Sequence, residues 1–208
     1  MSIQIDVDFK DKEKAKQKGA FWDAELKTWY IPDNKNILDF ADWFPSGCDV
    51  IIKSPFYIAY NTRTCWKCHK ETPLIAIGAD KFIVLDYVDD ESDDKKWNIQ
   101  NYFTLFSDIT FIPKNIIELI QNHYPFFKLA FSKTVNGKYW ANTCVNCNAL
   151  QGDWFNHNEP DGAFFPCSPE DARKIKLKKI ELKHDFPIIG GYSFGDSNDF
   201  TYRFAKRE

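Results

Sequence analysis

Two short stretches carry the most legible chemistry in the chain: Cys65-Trp66-Lys67-Cys68 and Cys144-Val145-Asn146-Cys147. A two-residue gap between cysteines lets both sulfurs of a tight turn face one ion, and two such turns supply the four thiolates of a tetrahedral zinc site. The first stretch continues into His69 and so also reads C-x-x-C-H, the attachment sequence of a c-type haem. Haem is disfavoured, because covalent attachment follows export and usually needs a distal His or Met, and the only methionine is Met1. It would also leave the second pair unexplained. A thioredoxin-like redox role fails because neither pair opens a helix in a βαβ unit. Four thiolates leave zinc no open position for water or substrate, so a single structural zinc on Cys65, Cys68, Cys144 and Cys147 is expected. His69 then either donates to a ligand sulfur or faces solvent, the latter being the simpler reading. Cys48 and Cys167 stand alone and read as small buried apolar residues.

Other residues offer weaker chemistry. Asp153, His157 and Glu159 lie close together in "QGDWFNHNEPDG". On a strand they would point the same way and could hold a second metal or perform acid/base work. Gly152, Asn158 and Pro160 favour a loop, in which they would satisfy turn and cap hydrogen bonds. Pro160-Asp161 followed by Glu181-Leu182-Lys183 resembles the P-D…E-x-K arrangement of restriction-type nucleases, in which two acids hold Mg²⁺ and a lysine assists the attacking water. No phosphate-binding glycine loop, nucleophile elbow or histidine-paired metalloprotease helix is present. For nucleic acid, the densest cations are Arg173, Lys174, Lys176, Lys178, Lys179 and Lys183, opposed locally by Glu181. On a strand Lys174, Lys176 and Lys178 would line one face opposite Ile175 and Leu177, as a phosphate-facing surface or an ordinary solvated one. Lys10, Lys12, Lys14, Lys16 and Lys18 recur every second residue, so they spread around a helix as a solvated face. Trp22, Trp29 and Tyr30 could stack on bases but read as the core of a small unit.

The elements that must position these groups follow from composition and period. The 208 residues are 44% hydrophobic, 27% charged and 17% aromatic, with 19 Phe and 7 Trp, which suits a globular protein richer in sheet than helix. A net charge of −3 and a pI of about 5.8 advertise no nucleic-acid or anionic-membrane partner globally. No apolar run approaches bilayer length and the N-terminus has no basic start with an apolar stretch behind it. A cytoplasmic, bacterial protein without a membrane is therefore expected, and its cysteines are read as metal ligands rather than disulfides.

Ile3, Ile5, Val7 and Phe9 alternate as a strand; Asp11 to Lys18 is a polar helix that Gly19 can close; Phe21-Trp22 and Trp29-Ile31 flank a hairpin; "ILDFADWF" is a short amphipathic helix. That makes a β-α-β-β-α unit over residues 1–46. Its helix lysines with Ala15, then Gly19-Ala20, Trp22-Asp23, Lys27, Trp29-Tyr30 and Pro32, resemble the small domain of unknown function near the N-termini of some plasmid primases and other mobile-element proteins. The resemblance covers the N-terminal unit and implies a nucleic-acid context. The wording "YWANTCVNCNALQGDWFNHNEPDGAFFP" similarly resembles uncharacterised bacterial zinc-ribbon proteins, which brings no activity with it.

Residues 47–208 read as a zinc-ribbon domain, each cysteine pair preceded by Thr64 or Thr143, with a folded insertion at 69–143. "TPLIAIGAD" and "KFIVLDY" suggest a hairpin, the acids Asp86, Asp89, Asp90, Glu91, Asp93 and Asp94 a solvated loop, and "PKNIIELIQNHY" a helix with Pro113 in its first turn. Ser168, Pro169 and Asp171 fit a helix start; "IKLKKI" is a strand with room for a bulge, and "GGYSFGDSNDF" a loop or edge strand. The sequence thus suggests an α+β protein that binds zinc without catalysis, as a DNA- or RNA-associated protein or an adaptor. A metal-dependent nuclease or other hydrolase, and a protein-interaction module of a mobile-element or defence system, are the alternatives.

Overall fold

The structure is a computed structural model describing residues 2–87 and 95–208. Asp89, Asp90, Glu91, Asp93 and Asp94 of the acidic run lie outside the described residues.

Apolar alternation produces β1 (Ser2–Ile5), which hands over to a 3-10 turn (Phe9–Asp11) and α1 (Lys12–Lys18). Phe9 was expected to extend the strand; it is 82% exposed, with the Lys12 ammonium 4.0 Å over its ring. Gly19 closes α1 at φ 96°, a left-handed conformation that costs glycine little. The hairpin of β2 (Phe21–Asp23) and β3 (Thr28–Ile31) follows, then a 3-10 helix (Ile37–Trp43). The core here is Ile3, Ile5, Val7, Ala15, Ala20, Ile31, Phe40 and Trp43, and it continues into Ile51 and Ile83 beyond. Trp22, expected in that core, is half exposed on the edge strand β2, with Trp29 packed edge-on against it.

Next come β4 (Val50–Ile52), β5 (Phe56–Thr64), β6 (Glu71–Ala79), β7 (Phe82–Tyr87), β8 (Lys95–Gln100) and β9 (Thr104–Phe111). The segments expected to form one hairpin do not pair: β6 lies between β5 and β9, whereas β7 lies between β4 and β8. Gly78 permits the close approach of β6 to β9, since a Cβ there would sit 2.8 Å from Leu105 Cδ2 and 3.0 Å from the Thr104 carbonyl. Helix α2 (Lys114–Gln121) buries Ile116, Ile117 and Ile120 against the sheet, with Pro113 as its N-cap residue. Strands β10 (Phe127–Ser132), β11 (Gly137–Thr143) and β12 (Leu150–Gln151) form a separate three-stranded sheet.

Helices α3 (Asp153–His157) and α4 (Pro169–Ala172) precede β13 (Lys176–Ile180), β14 (His184–Gly191), α5 (Asp196–Phe204) and β15 (Lys206–Arg207). Ser168 caps α4 by accepting the Asp171 N–H. The tail expected as loop or edge strand holds α5, whose Asn198 and Thr201 are buried and hydrogen-bonded back to the chain. No bulge breaks β13, which runs in register with β5 from Lys176↔Tyr60 to Ile180↔Phe56; the irregularity falls between β14 and β9.

Among the described residues the larger sheet has twelve strands, with the main path β15-β13-β5-β6-β9-β14-β1-β3-β2. Strand β14 joins its parts, pairing parallel with β1 and antiparallel with β4 and β9. The protein is thus a mixed α/β chain, mostly sheet with few and short helices. Asn142 docks the small sheet on the large one: it donates to the Ile75 carbonyl at 2.9 Å and accepts the Ile75 N–H at 2.8 Å, standing in for a strand partner.

Candidate metal centre and adjoining groove

Both cysteine pairs sit in turns of one design. The first joins β5 to β6: His69 N–H donates to the Cys65 carbonyl at 3.0 Å, and Cys65 N–H to the Lys70 carbonyl at 2.9 Å. The second joins β11 to β12, with Asn148 N–H to Cys144 O at 2.8 Å and Cys144 N–H to Ala149 O at 2.9 Å. His69 and Asn148 hold equivalent left-handed positions, at φ 59° and 57°. In each turn the N–H two residues on points back at the first sulfur, from Lys67 and from Asn146, at 3.4 Å. Such donors favour the thiolate.

The Asn142 bridge brings the two turns face to face. Cys65 Sγ lies 3.7 Å from Cys147 Sγ, Cys68 Sγ 3.7 Å from Cys144 Sγ, and all four sulfurs lie within 4.8 Å of one another. Such a set can hold one metal ion. Burial opposes ionisation of Cys144, but the N–H groups of Asn146 and Cys147 outweigh it and bring its thiol down to about 6. Cys147 moves to about 12: the Ala149 N–H favours its thiolate, while burial and the neighbouring sulfurs oppose it more strongly. Gln151 Nε2 donates to Cys65 Sγ at 3.4 Å, an outer contact that the spacing of cysteines could not reveal. His69 is exposed. Of the single cysteines, Cys48 is buried and its thiol is pushed up to about 12 by that burial, whereas Cys167 is exposed in the loop before the Ser168 cap. The expectation that Cys167 is buried is therefore corrected.

Beside the centre lies a groove of 660 Å³. One wall is Trp66, from inside the first cysteine turn, whose indole N–H donates to the Leu150 carbonyl at 2.7 Å. Trp154 and Phe155 of α3 and Val135 of the β10–β11 turn supply further apolar surface, all more than half exposed. Arg63 and Lys133 provide cations. Arg63 is oriented by the Asn156 side chain at 2.7 Å and the Phe155 carbonyl at 3.2 Å. Asp153 closes the groove. Its Oδ2 accepts the Asp108 N–H at 2.9 Å, and burial pushes its carboxyl up to about 7.

The three polar residues read together from the sequence separate. Asp153 and His157 start and end the short α3, but His157 packs on the Phe164 ring, where burial brings its imidazole down to about 4, and Glu159 is exposed beyond the helix. The nuclease-like set does not converge either. Asp161 sits in a turn near Lys174, before β13, while Glu181 follows the far end of that strand and pairs with Lys179 at 2.7 Å. Lys183 pairs with Asp23 at 2.7 Å.

The lysine row lies partly on β13, where Lys176 and Lys178 alternate with the buried Leu177. Lys174 precedes β13 and pairs with Asp171 at 2.7 Å; Lys176 pairs with Glu208 at 2.9 Å; Lys178 is half-buried. An unseen network lies at the N-terminal edge. Ser2 Oγ is 2.5 Å from His184 Nδ1, and His184 Nε2 is 2.9 Å from Asp23 Oδ2, so the network ties β1, β14 and β2 together. No sequence signal could have joined residues so far apart in the chain.

Residues 3–45 match a family described as a domain of unknown function (DUF5710). Over 39 residues, 19% of this chain, the sequence is 41% identical to the DNA primase TraC of Escherichia coli, a stretch that spans 3% of the primase's length. In the comparison with solved structures, none matches significantly. The N-terminal segment thus resembles the small domain of plasmid primases.

Proposed function

We propose that the protein is a non-catalytic, zinc-stabilised binding protein whose aromatic groove receives single-stranded DNA or RNA. For a tetrahedral ion with Zn–S bonds near 2.3 Å, neighbouring sulfurs stand about 3.8 Å apart. The two 3.7 Å contacts fit that edge. Cys65, Cys68, Cys144 and Cys147 would hold the ion, and four soft thiolates suit zinc while leaving no site for a reacting ligand.

The observation that carries the nucleic-acid reading is the groove. Three exposed aromatic rings, Trp66, Trp154 and Phe155, stand together with Arg63 and Lys133 at a position braced by the metal turns. Aromatic platforms bind bases of any sequence through their faces, and two cations can track a backbone. Asp153 could accept from an exocyclic amino group. The primase-related N-terminal segment agrees with this context. The row of Lys174, Lys176 and Lys178 remains a secondary surface, weakened because two of its cations already have carboxylate partners.

Quenching of tryptophan fluorescence by short oligonucleotides tests the reading. Binding should be lost in Trp154→Ala and largely kept in Lys176→Ala; undiminished binding by Trp154→Ala would move the site elsewhere. One observation favours hydrolysis as a second reading: the Asp153 carboxyl lines the groove, accepts the Asp108 N–H and is pushed up to about 7 by burial, so it could serve as a general acid. Turnover of a glycoside or phosphoester that disappears in Asp153→Asn would support it.

A further inference from the structure

A second groove, also of 660 Å³, opens between β1, the β2–β3 turn and the first turn of α2. Gln4, which is 3% exposed, is among the residues that line it. Its Oε1 is a buried side-chain oxygen that meets no hydrogen-bond donor, the one such atom among the described residues. An unmet acceptor of this kind is costly, and native structures rarely keep one without a use. The groove's other polar feature is the start of α2. Pro113 gives the helix no side-chain cap, and its carbonyl takes the N–H groups of Ile116 and Ile117. The N–H groups of Lys114 and Asn115 come before any helical carbonyl that could accept them, and both residues line the groove. Lys27 and Lys114 reach the rim, as do Asp6 and Glu118, so an anion would be held chiefly by the helix start rather than by net charge. Trp140 and Phe111 furnish flat apolar walls.

The ligand that satisfies all three features carries an N–H donor on a flat ring and an anion at a distance from it. We propose that this groove binds a nucleoside 5′-phosphate, with a base N–H donating to Gln4 Oε1, the ring against Trp140 and the phosphate at the first turn of α2. The chemistry is shared by a free nucleotide and by the 5′-phosphorylated end of a strand. The proposal does not depend on the groove at Trp66.

Calorimetric titration and thermal melting with AMP, GMP, CMP and UMP, inorganic phosphate, and a pentanucleotide with and without a 5′-phosphate test it. The decisive variant is Gln4→Met, which keeps the volume and removes the unmet acceptor. Without ligand it should melt about 2–4 °C above the native protein. It should nevertheless bind at least one monophosphate about tenfold or more weakly than the native protein does. Lys114→Ala should weaken the monophosphate and leave the corresponding nucleoside unchanged. Tighter binding of the 5′-phosphorylated pentanucleotide than of the monophosphate identifies a strand end, and the reverse a free nucleotide. The proposal is overturned if none of these phosphates shifts the melting point, if Gln4→Met binds as well as the native protein, or if inorganic phosphate binds as tightly as any nucleotide.

Discussion

Removing the proposed metal should open one corner of the molecule rather than the whole. The sulfurs form their own small cluster, Cys65 and Cys144 with Ala149, apart from the three larger cores. What crosses between the sheets near this cluster is polar: Val145 N–H to Thr72 Oγ1 at 3.1 Å, Asn146 Nδ2 to the Glu71 carbonyl at 3.0 Å, and the Asn142 bridge. An ion bound only by the closed form stabilises that form by RT ln(1 + [L]/Kd), about 4 kcal/mol when free metal is a thousandfold above Kd. Stripping the proposed zinc with a chelator should therefore speed hydrogen exchange about a thousandfold in the amides whose protection needs the closed turns. Those amides are Cys65 and His69 in the first turn, and Cys144, Asn148 and the β11–β12 pairing in the second. The β5–β6 pairing from Tyr57↔Gly78 to Tyr60↔Ile75 should keep its protection, because it lies in the main cores. Mass-spectrometric exchange with peptide resolution reads both regions in one experiment. Equal loss of protection in both sheets would refute a local role for the metal, and no change in either would refute metal binding at these cysteines.

Asn142→Ala leaves the N–H and carbonyl of Ile75 unmet and should cost about 2–5 kcal/mol in urea unfolding. A further prediction concerns pH, where the buried Asp153 and the half-buried His157 oppose each other. Asp153 keeps its proton when folded up to about 7, against an ordinary 3.8, so between those values raising pH favours unfolding. His157 stays neutral down to about 4, against 6.5, so in that window lowering pH favours unfolding. The native protein should thus show little pH dependence of unfolding between the two limits, while Asp153→Asn should reveal falling stability toward acid and gain up to about 4 kcal/mol at pH 8. His157→Gln should reveal the opposite slope. Asp23, held well below the usual carboxylate range by the Lys183 ammonium, the Leu26 N–H and His184, contributes stability that is present above that range and lost as pH falls below it. Asp23→Asn should accordingly shrink the difference between melting points at pH 6 and pH 3.

The cysteine turns were legible because their chemistry is local: spacing fixes which sulfurs can meet one ion, whatever the length of chain between them. Gly19 and Ser168 were legible for the same reason, as caps act within a few residues. Pairing between distant strands leaves no such mark. Nothing in "TPLIAIGAD" distinguishes a hairpin with the next strand from a place between β5 and β9, because continuous burial suits either. The tail misled because its glycines and serines suggest loop, whereas α5 is anchored by Asn198 accepting the Leu105 N–H from another part of the chain. The partners of the lysine row left no mark either: Glu208, which pairs with Lys176, lies far from it in the sequence. Gln4 carries no motif, and only the burial of its oxygen singles it out.

The proposed zinc turns and the aromatic groove meet at Trp66 and Gln151, which ties the metal centre to the proposed binding site. Trp66 lies between the cysteines of the first turn, yet its side chain forms a wall of the groove and bonds to Leu150, just beyond the second turn. Gln151, the next residue, gives one amide hydrogen bond to Cys65 Sγ and also lines the groove. A ligand stacked on Trp66 therefore presses on the same contacts that hold the two turns together, and an ion that closes the turns fixes the angle of the indole. Coupling of this kind is reciprocal by thermodynamic necessity: whatever factor the metal adds to affinity in the groove, an occupant of the groove adds to affinity for the metal. A closed four-thiolate centre of the kind proposed, without chemistry of its own, would thus still set the affinity of the proposed groove by deciding whether the Trp66 ring stands in place.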